Sequence, residues 1–134
     1  MSFRAATLED EAFFYYWRRY AEARGAAGGW YLGARTTREE HQRWFTDKLL
    51  HAVMLVWERE GEALGTARID SNGEVAFSAE PADAPALLRD LQPFAAEYGG
   101  RLKVTVDEAD RAAIAALTEA GWGEFPVRFF CYRP

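Results

Sequence analysis

Apolar side chains at Phe13, Tyr16, Trp17 and Tyr20 fall on one face of a helix. The spacing predicts a first helix over 9–24, ended by Gly25 and the GAAGG run. The string TREE at 37–40 has capping-box form, with Thr37 placed to accept from the Glu40 amide and Glu40 to reach back. A second helix over 37–50 follows, with His41, Trp44, Phe45, Lys48 and Leu49 sharing a face. AVMLVW at 52–57 is continuously apolar and short, the pattern of a strand covered on both faces. EREGEA then turns the chain, and ALGTARID and EVAFSA flank Ser71, Asn72 and Gly73. The Asn-Gly pair predicts a hairpin, because both residues tolerate positive φ.

Leu87, Leu88, Leu91, Ala95 and Tyr98 mark a helix over 84–98, which Pro93 must kink or break because it removes a backbone donor. Its entry, EPADAPA at 80–86, holds two prolines and no glycine; Asp83 reads as the N-cap and Pro85 as the residue that sets the first turn. RLKVTVDE alternates Leu102, Val104 and Val106 against polar residues, a strand with one face inward. Asp110 can cap a helix over 111–120 that stops at Gly121. FPVRFFCYRP reads as a closing strand, apolar on both faces, with Pro126 at its start or in a bulge. Such a strand is either doubly buried or the edge of a homodimer. The whole is an α+β, mixed-sheet chain expected to form one domain over 1–134.

Charge narrows the partners. The 134 residues carry a net charge of −5 with no basic stripe, which argues against nucleic acid. FFYYW at 13–17 is too short to span a bilayer and follows Glu9, Asp10 and Glu11, unlike a leader segment, so no membrane association is expected. Cys131 is the only cysteine and can form neither an internal disulfide nor a zinc site, consistent with a cytoplasmic setting. No metal site is expected: His41 lies on an apolar helix face without a second ligand at matching spacing, and His51 reads as a charge answering a helix C-terminus.

The order of elements, with several local strings, resembles the GNAT superfamily of N-acetyltransferases over nearly the whole chain. FRAATLED looks like the family's opening strand and turn. WRRYAEAR and TREEHQRWF resemble its members that acetylate amino-sugar nucleotides or protein N-termini. VTVDEADRAAIAALTEAGWGEF follows its pattern of strand, polar cap, helix and Gly-aromatic. The resemblance implies a three-layer α+β domain whose mixed, mostly antiparallel sheet splays between strands four and five. It implies acetyl-CoA in that wedge and transfer of the acetyl group to a small-molecule amine, an amino sugar or nucleotide-like acceptor.

The same resemblance assigns roles. Glu74 stands where the family often has a carboxylate that takes the amine proton, directly or through water; a solvated strand end is the plainer reading. The backbone at Phe77, Ser78 and Ala79 would pair with the pantetheine arm, and Asp110 takes the place of the polar cap beside the cofactor. Trp17 and Arg18 match a Trp-Arg pair that meets the acceptor, where an ion pair is the alternative for Arg18. Trp30 and Tyr31 would stack on the acceptor from the GGWYLGAR loop, or bury against the first helix. Two positions depart from the pattern. The family's Gly-rich pyrophosphate loop would fall within 80–86, where this chain has EPADAPA, and its general-acid tyrosine would fall at Leu117. Tyr98 or Tyr132 could replace it only if the fold brought one near. A GNAT-fold binding module, sensor or partner subunit without acetyl-CoA is therefore the second functional reading.

Overall fold

The computed structural model describes residues 2–23, 36–125, 130 and 132. The chain opens with strand β1 (Ser2–Ala5), a short 3-10 turn (Leu8–Asp10) and helix α1 (Glu11–Ala23), followed by helix α2 (Arg38–His51). Strands β2 (Val53–Arg59), β3 (Glu62–Ile69) and β4 (Val75–Ala79) come next. Helix α3 (Ala84–Leu91), a 3-10 stretch (Gln92–Tyr98) and helix α4 (Arg111–Glu119) complete the described elements. The strands form an antiparallel sheet in the order β1-β2-β3-β4.

Strand alternation splits the core into two layers. Met54 and Val56 point to the side covered by α1 and α2, where they meet Phe14 and Phe45. On the opposite face Leu55 packs with Ile69, Val75 and Leu91, and Trp57 with Leu87, Leu88 and Ala116. β2 is thus covered on both faces, as its unbroken apolar run predicts. Trp57 is fully buried, and its indole N–H is satisfied by Asp90 of α3 at 2.8 Å. Gly65 lets α3 approach the sheet: a Cβ there would lie 2.6 Å from the Ser78 carbonyl and 2.8 Å from Leu87 Cδ1.

The caps follow local chemistry. Thr37 accepts the Glu40 amide at 3.1 Å, while the Glu40 carboxylate takes the Thr37 hydroxyl rather than its N–H. Asp110 accepts the Ala113 amide at 3.1 Å. Asp83 departs from expectation. Its backbone is already helical (φ −94°, ψ −21°) and its side chain makes no cap bond, because a cap needs an extended backbone to aim the carboxylate at the first turn. Its carboxylate lies instead 3.8 Å from Arg59. Pro93 acts as expected: α3 ends at Leu91 and the chain continues as 3-10 turns.

The β3–β4 hairpin forms where the Asn-Gly pair predicts it. Gly73 donates to the Asp70 carbonyl at 2.9 Å and has φ +83°, whereas Asn72 keeps negative φ and uses its Oδ1 to accept the Glu74 amide at 3.0 Å. One glycine in the left-handed region suffices for this three-residue loop.

The predicted strand 101–108 keeps its alternation, with Leu102, Val104 and Val106 turned inward, but no ladder forms along it among the described residues. One parallel bridge joins Glu74 to Lys103. Beyond it the segment diverges from β4, so its backbone has no partner strand on that side. The expected closing strand falls largely outside the described residues; Phe125, Phe130 and Tyr132 are exposed.

Candidate active site

The divergence of β4 and the 103–107 segment opens a cleft of about 590 Å³ that continues over the sheet beneath α1 and α2. Its geometry starts from the hydrogen bonds at its root. Asp70 N–H donates to Glu74 C=O at 2.9 Å, which sets which β4 residues bond to β3. By strand alternation Ala76 and Ser78 direct their backbone groups to β3, and Val75, Phe77 and Ala79 direct theirs the other way. Val75 N–H accordingly meets the Lys103 carbonyl at 2.8 Å. Further along, the outward groups of Phe77 and Ala79 face the open wedge. Two parallel-oriented segments that part in this way leave an unpaired strand edge, which binds an extended chain of alternating donors and acceptors.

Glu74, Phe77, Ser78, Ala79, Asp110, Trp17 and Arg18 all border this one cleft. Ser78 does so differently from expectation: its backbone is turned into the β3 ladder opposite Thr66, so its side chain, rather than its amide, is available. Asp110 spends one carboxylate oxygen on the α4 cap. Trp17 is buried, and its indole nitrogen has no hydrogen-bond partner. Trp30 and Tyr31 lie outside the described residues. Tyr98 packs into the core beside Val75 and does not border the cleft, and burial together with Glu97 and Asp70 pushes its hydroxyl pKa up. Tyr132 is exposed and does not border it.

The cleft also collects residues that the sequence pattern read as plain packing. His41 is buried on α2, and its Nδ1 lies 2.5 Å from Glu11 of α1. Glu11 is itself buried and receives Arg38 Nε at 2.9 Å. Trp44 forms the neighbouring wall, with the Arg68 guanidinium 5.5 Å from its ring centre. Tyr20 reaches from α1 to Glu80 at 3.1 Å, tying the entry of α3 to the helical layer. Periodicity alone could place His41 on the inner face, but no sequence spacing pairs it with a residue 30 positions away. Around the cleft stand the carboxylates of Glu40, Glu74, Asp107 and Asp110 against the guanidinium groups of Arg18 and Arg68, a balance that favours a cationic guest.

At the α3 end the cleft is bordered by Pro81 and Ala84. Asp83 and Ala84 N–H are both committed to the Glu80 carbonyl, and Leu87 N–H to that of Asp83. Pro81 and Pro85 have no N–H, so Ala82 and Ala86 supply the uncommitted donors at this helix entry.

No family model and no curated protein sequence matches the chain. Solved structures match it closely in shape. The aminoglycoside acetyltransferase AAC(6')-Ib, in complex with paromomycin and acetyl-CoA, superposes with a TM-score of 0.70 at 18% identity, over 90% of this chain and 81% of that one. A predicted acetyltransferase from Clostridium acetobutylicum, with acetyl-CoA, gives 0.66 at 17% identity over 98% and 95% of the two chains. AAC(6')-Iy, bound to a bisubstrate analogue of CoA and acetylneamine, gives 0.68 at 14% identity over 99% and 98%. The chain has the GNAT acetyltransferase fold that its sequence order resembles.

Proposed function

We propose that the protein is an N-acetyltransferase that moves the acetyl group of acetyl-CoA to a small primary amine, an amino sugar or a nucleotide-like amine, in a cytoplasmic setting. The observation that carries this reading is the unpaired edge of β4 opening into a cleft that also holds Glu74, Trp17 and Arg18. Acetyl-CoA fits that edge at its pantetheine end, where the backbone groups of Phe77 and Ala79 would hold the arm and orient its thioester. Ala82 and Ala86 N–H would meet the pyrophosphate at the N-terminal end of α3, with Arg59 offsetting the charge of Asp83. When bound, acetyl-CoA supplies an activated acyl group.

The chain's own residues prepare the amine. An alkylammonium with pKa near 10 must lose a proton before its nitrogen can attack. Glu74 is the carboxylate for that step, acting directly or through a water, and its charge also draws the cation into the cleft. Trp17 and Arg18 shape the acceptor end, and Asp110 holds the α4 entry beside the wedge. The positions of Trp30 and Tyr31 in the chain suit them to cover the acceptor.

Thiol release tests the reading. Purified protein with acetyl-CoA and either glucosamine or kanamycin, a ligand of the related AAC(6')-Ib fold, is expected to liberate free CoA only when amine is present. No amine-dependent thiol from any amine of a broad amino-sugar and nucleotide panel would contradict it. The second reading, a GNAT-fold binding module without acetyl-CoA, draws on one specific feature: the prolines and carboxylates of 80–86 reduce the donors an anion would need.

A further inference from the structure

His41 has no part in the acetyl transfer proposed above for Glu74 and the β4 edge. Its ring is buried between Tyr15 of α1, 5.1 Å away, and Trp44 of α2, 5.3 Å away. Its two nitrogens have unequal surroundings. Nδ1 is held by Glu11, whose other oxygen is held by Arg38. Nδ1 alone makes a hydrogen bond to a described residue, and His41 borders the cleft, which leaves Nε2 for a guest.

Arg38 holds one oxygen of Glu11 and His41 Nδ1 meets the other, so in the neutral imidazole the proton sits on Nδ1, where it donates to Glu11. The hydrogen bond at one ring nitrogen then fixes the tautomer and leaves a lone pair on the other. We infer that His41 is an acceptor-binding residue: its Nε2 takes a hydrogen bond from an N–H or O–H of the amine substrate, with Glu11 and Arg38 fixing the ring. This deepens the acetyltransferase reading and rests on it. It also gives Glu11 a reason to be buried on α1, where a surface acid would serve helix polarity equally well. Glu40 and Arg68 also line the cleft and keep it polar.

Two variants separate binding from packing. In His41→Asn the amide can still donate to Glu11 from the Nδ1 position but offers nothing where Nε2 stood; in His41→Gln the longer side chain places an amide near the Nε2 position. His41→Asn is expected to raise KM for kanamycin about tenfold, with kcat and KM for acetyl-CoA within about twofold, and His41→Gln to recover part of the loss. Thermal melts check that both variants fold. Equal KM for kanamycin in the wild type and His41→Asn overturns the inference. So does a fall in kcat with a lost acid limb of the rate profile and unchanged KM, which makes His41 a base instead. A second readout needs no turnover: in protein labelled with nitrogen-15 histidine, kanamycin without acetyl-CoA is expected to move the His41 Nε2 resonance saturably. A fixed resonance at millimolar kanamycin overturns the inference whether or not the protein releases thiol. If the resonance moves and no thiol is released, the acetyltransferase reading alone fails.

Discussion

Val75 donates its N–H to the Lys103 carbonyl at 2.8 Å, and Lys103 returns its own to Gly73 at 3.0 Å. Among the described residues these bonds are the whole of the backbone pairing between β4 and the segment that follows α3. A longer ladder would consume the outward groups of Phe77 and Ala79. Its early end leaves them for a ligand, so the site is a consequence of strand pairing that stops short.

Replacing Ala79 by proline tests that edge directly. Its N–H points away from β3, so the substitution removes a ligand donor while sparing the sheet ladder. KM for acetyl-CoA is expected to rise about three- to tenfold, the worth of one hydrogen bond, with a small change in melting temperature. An unchanged KM in a folded variant would show that the β4 edge is not used.

The entry of α3 carries charges that oppose an anion. Glu80→Gln and Asp83→Asn are each expected to tighten acetyl-CoA, by up to about fivefold at low salt, since a unit charge a few ångströms from a phosphate is worth about 1 kcal/mol in water. The gain should shrink as salt screens it. Binding titrations at two ionic strengths give the answer, and weaker binding in both variants would place the phosphates elsewhere.

Glu74→Gln keeps size and hydrogen-bonding reach but cannot take a proton at neutral pH. Loss of a general base lowers turnover by about a hundredfold or more. A fall in kcat with KM for acetyl-CoA preserved is the expected pattern in steady-state kinetics. Wild-type kcat would remove Glu74 from the proton path.

The stability of the sheet's first edge should depend on pH. Arg4 donates twice to the Asp10 carboxylate at 2.8 Å, and this, with the Thr7 amide, holds the Asp10 pKa below the ordinary carboxylate value. A depressed native pKa stabilises the fold above the unfolded value, near 4, and the contribution is lost as pH falls through the native one. Asp10→Asn should therefore lower the melting temperature at pH 7 and differ progressively less from wild type below about pH 4. A difference that grows on acidification would contradict the ion pair's role.

Much of this arrangement was legible in the sequence wherever the determinant was local. The unbroken apolar run at 52–57 marked a strand covered on both faces, Pro93 marked the end of α3, and Asp110 marked a cap. The ordered strings led to the GNAT fold and from there to Glu74, Trp17 and Arg18 at one cleft. Features set by partners distant in the chain were not legible. The alternation of 101–108 signalled a strand, yet whether it forms a ladder depends on how it meets β4. Asp83 had the right residue type for a cap, but the turn on the Glu80 carbonyl had already bent its backbone into the helical region. The Glu11–His41 contact joins two helices at a separation that no periodicity encodes.

Calorimetric titration with acetyl-CoA bears most directly on the central claim, because the fold alone does not distinguish an acetyltransferase from a binding module that shares it. Saturable, one-site binding of acetyl-CoA is expected, with a melting temperature that rises with ligand concentration, as any ligand of the native state must produce. No heat of binding and no stabilisation at millimolar acetyl-CoA would contradict it.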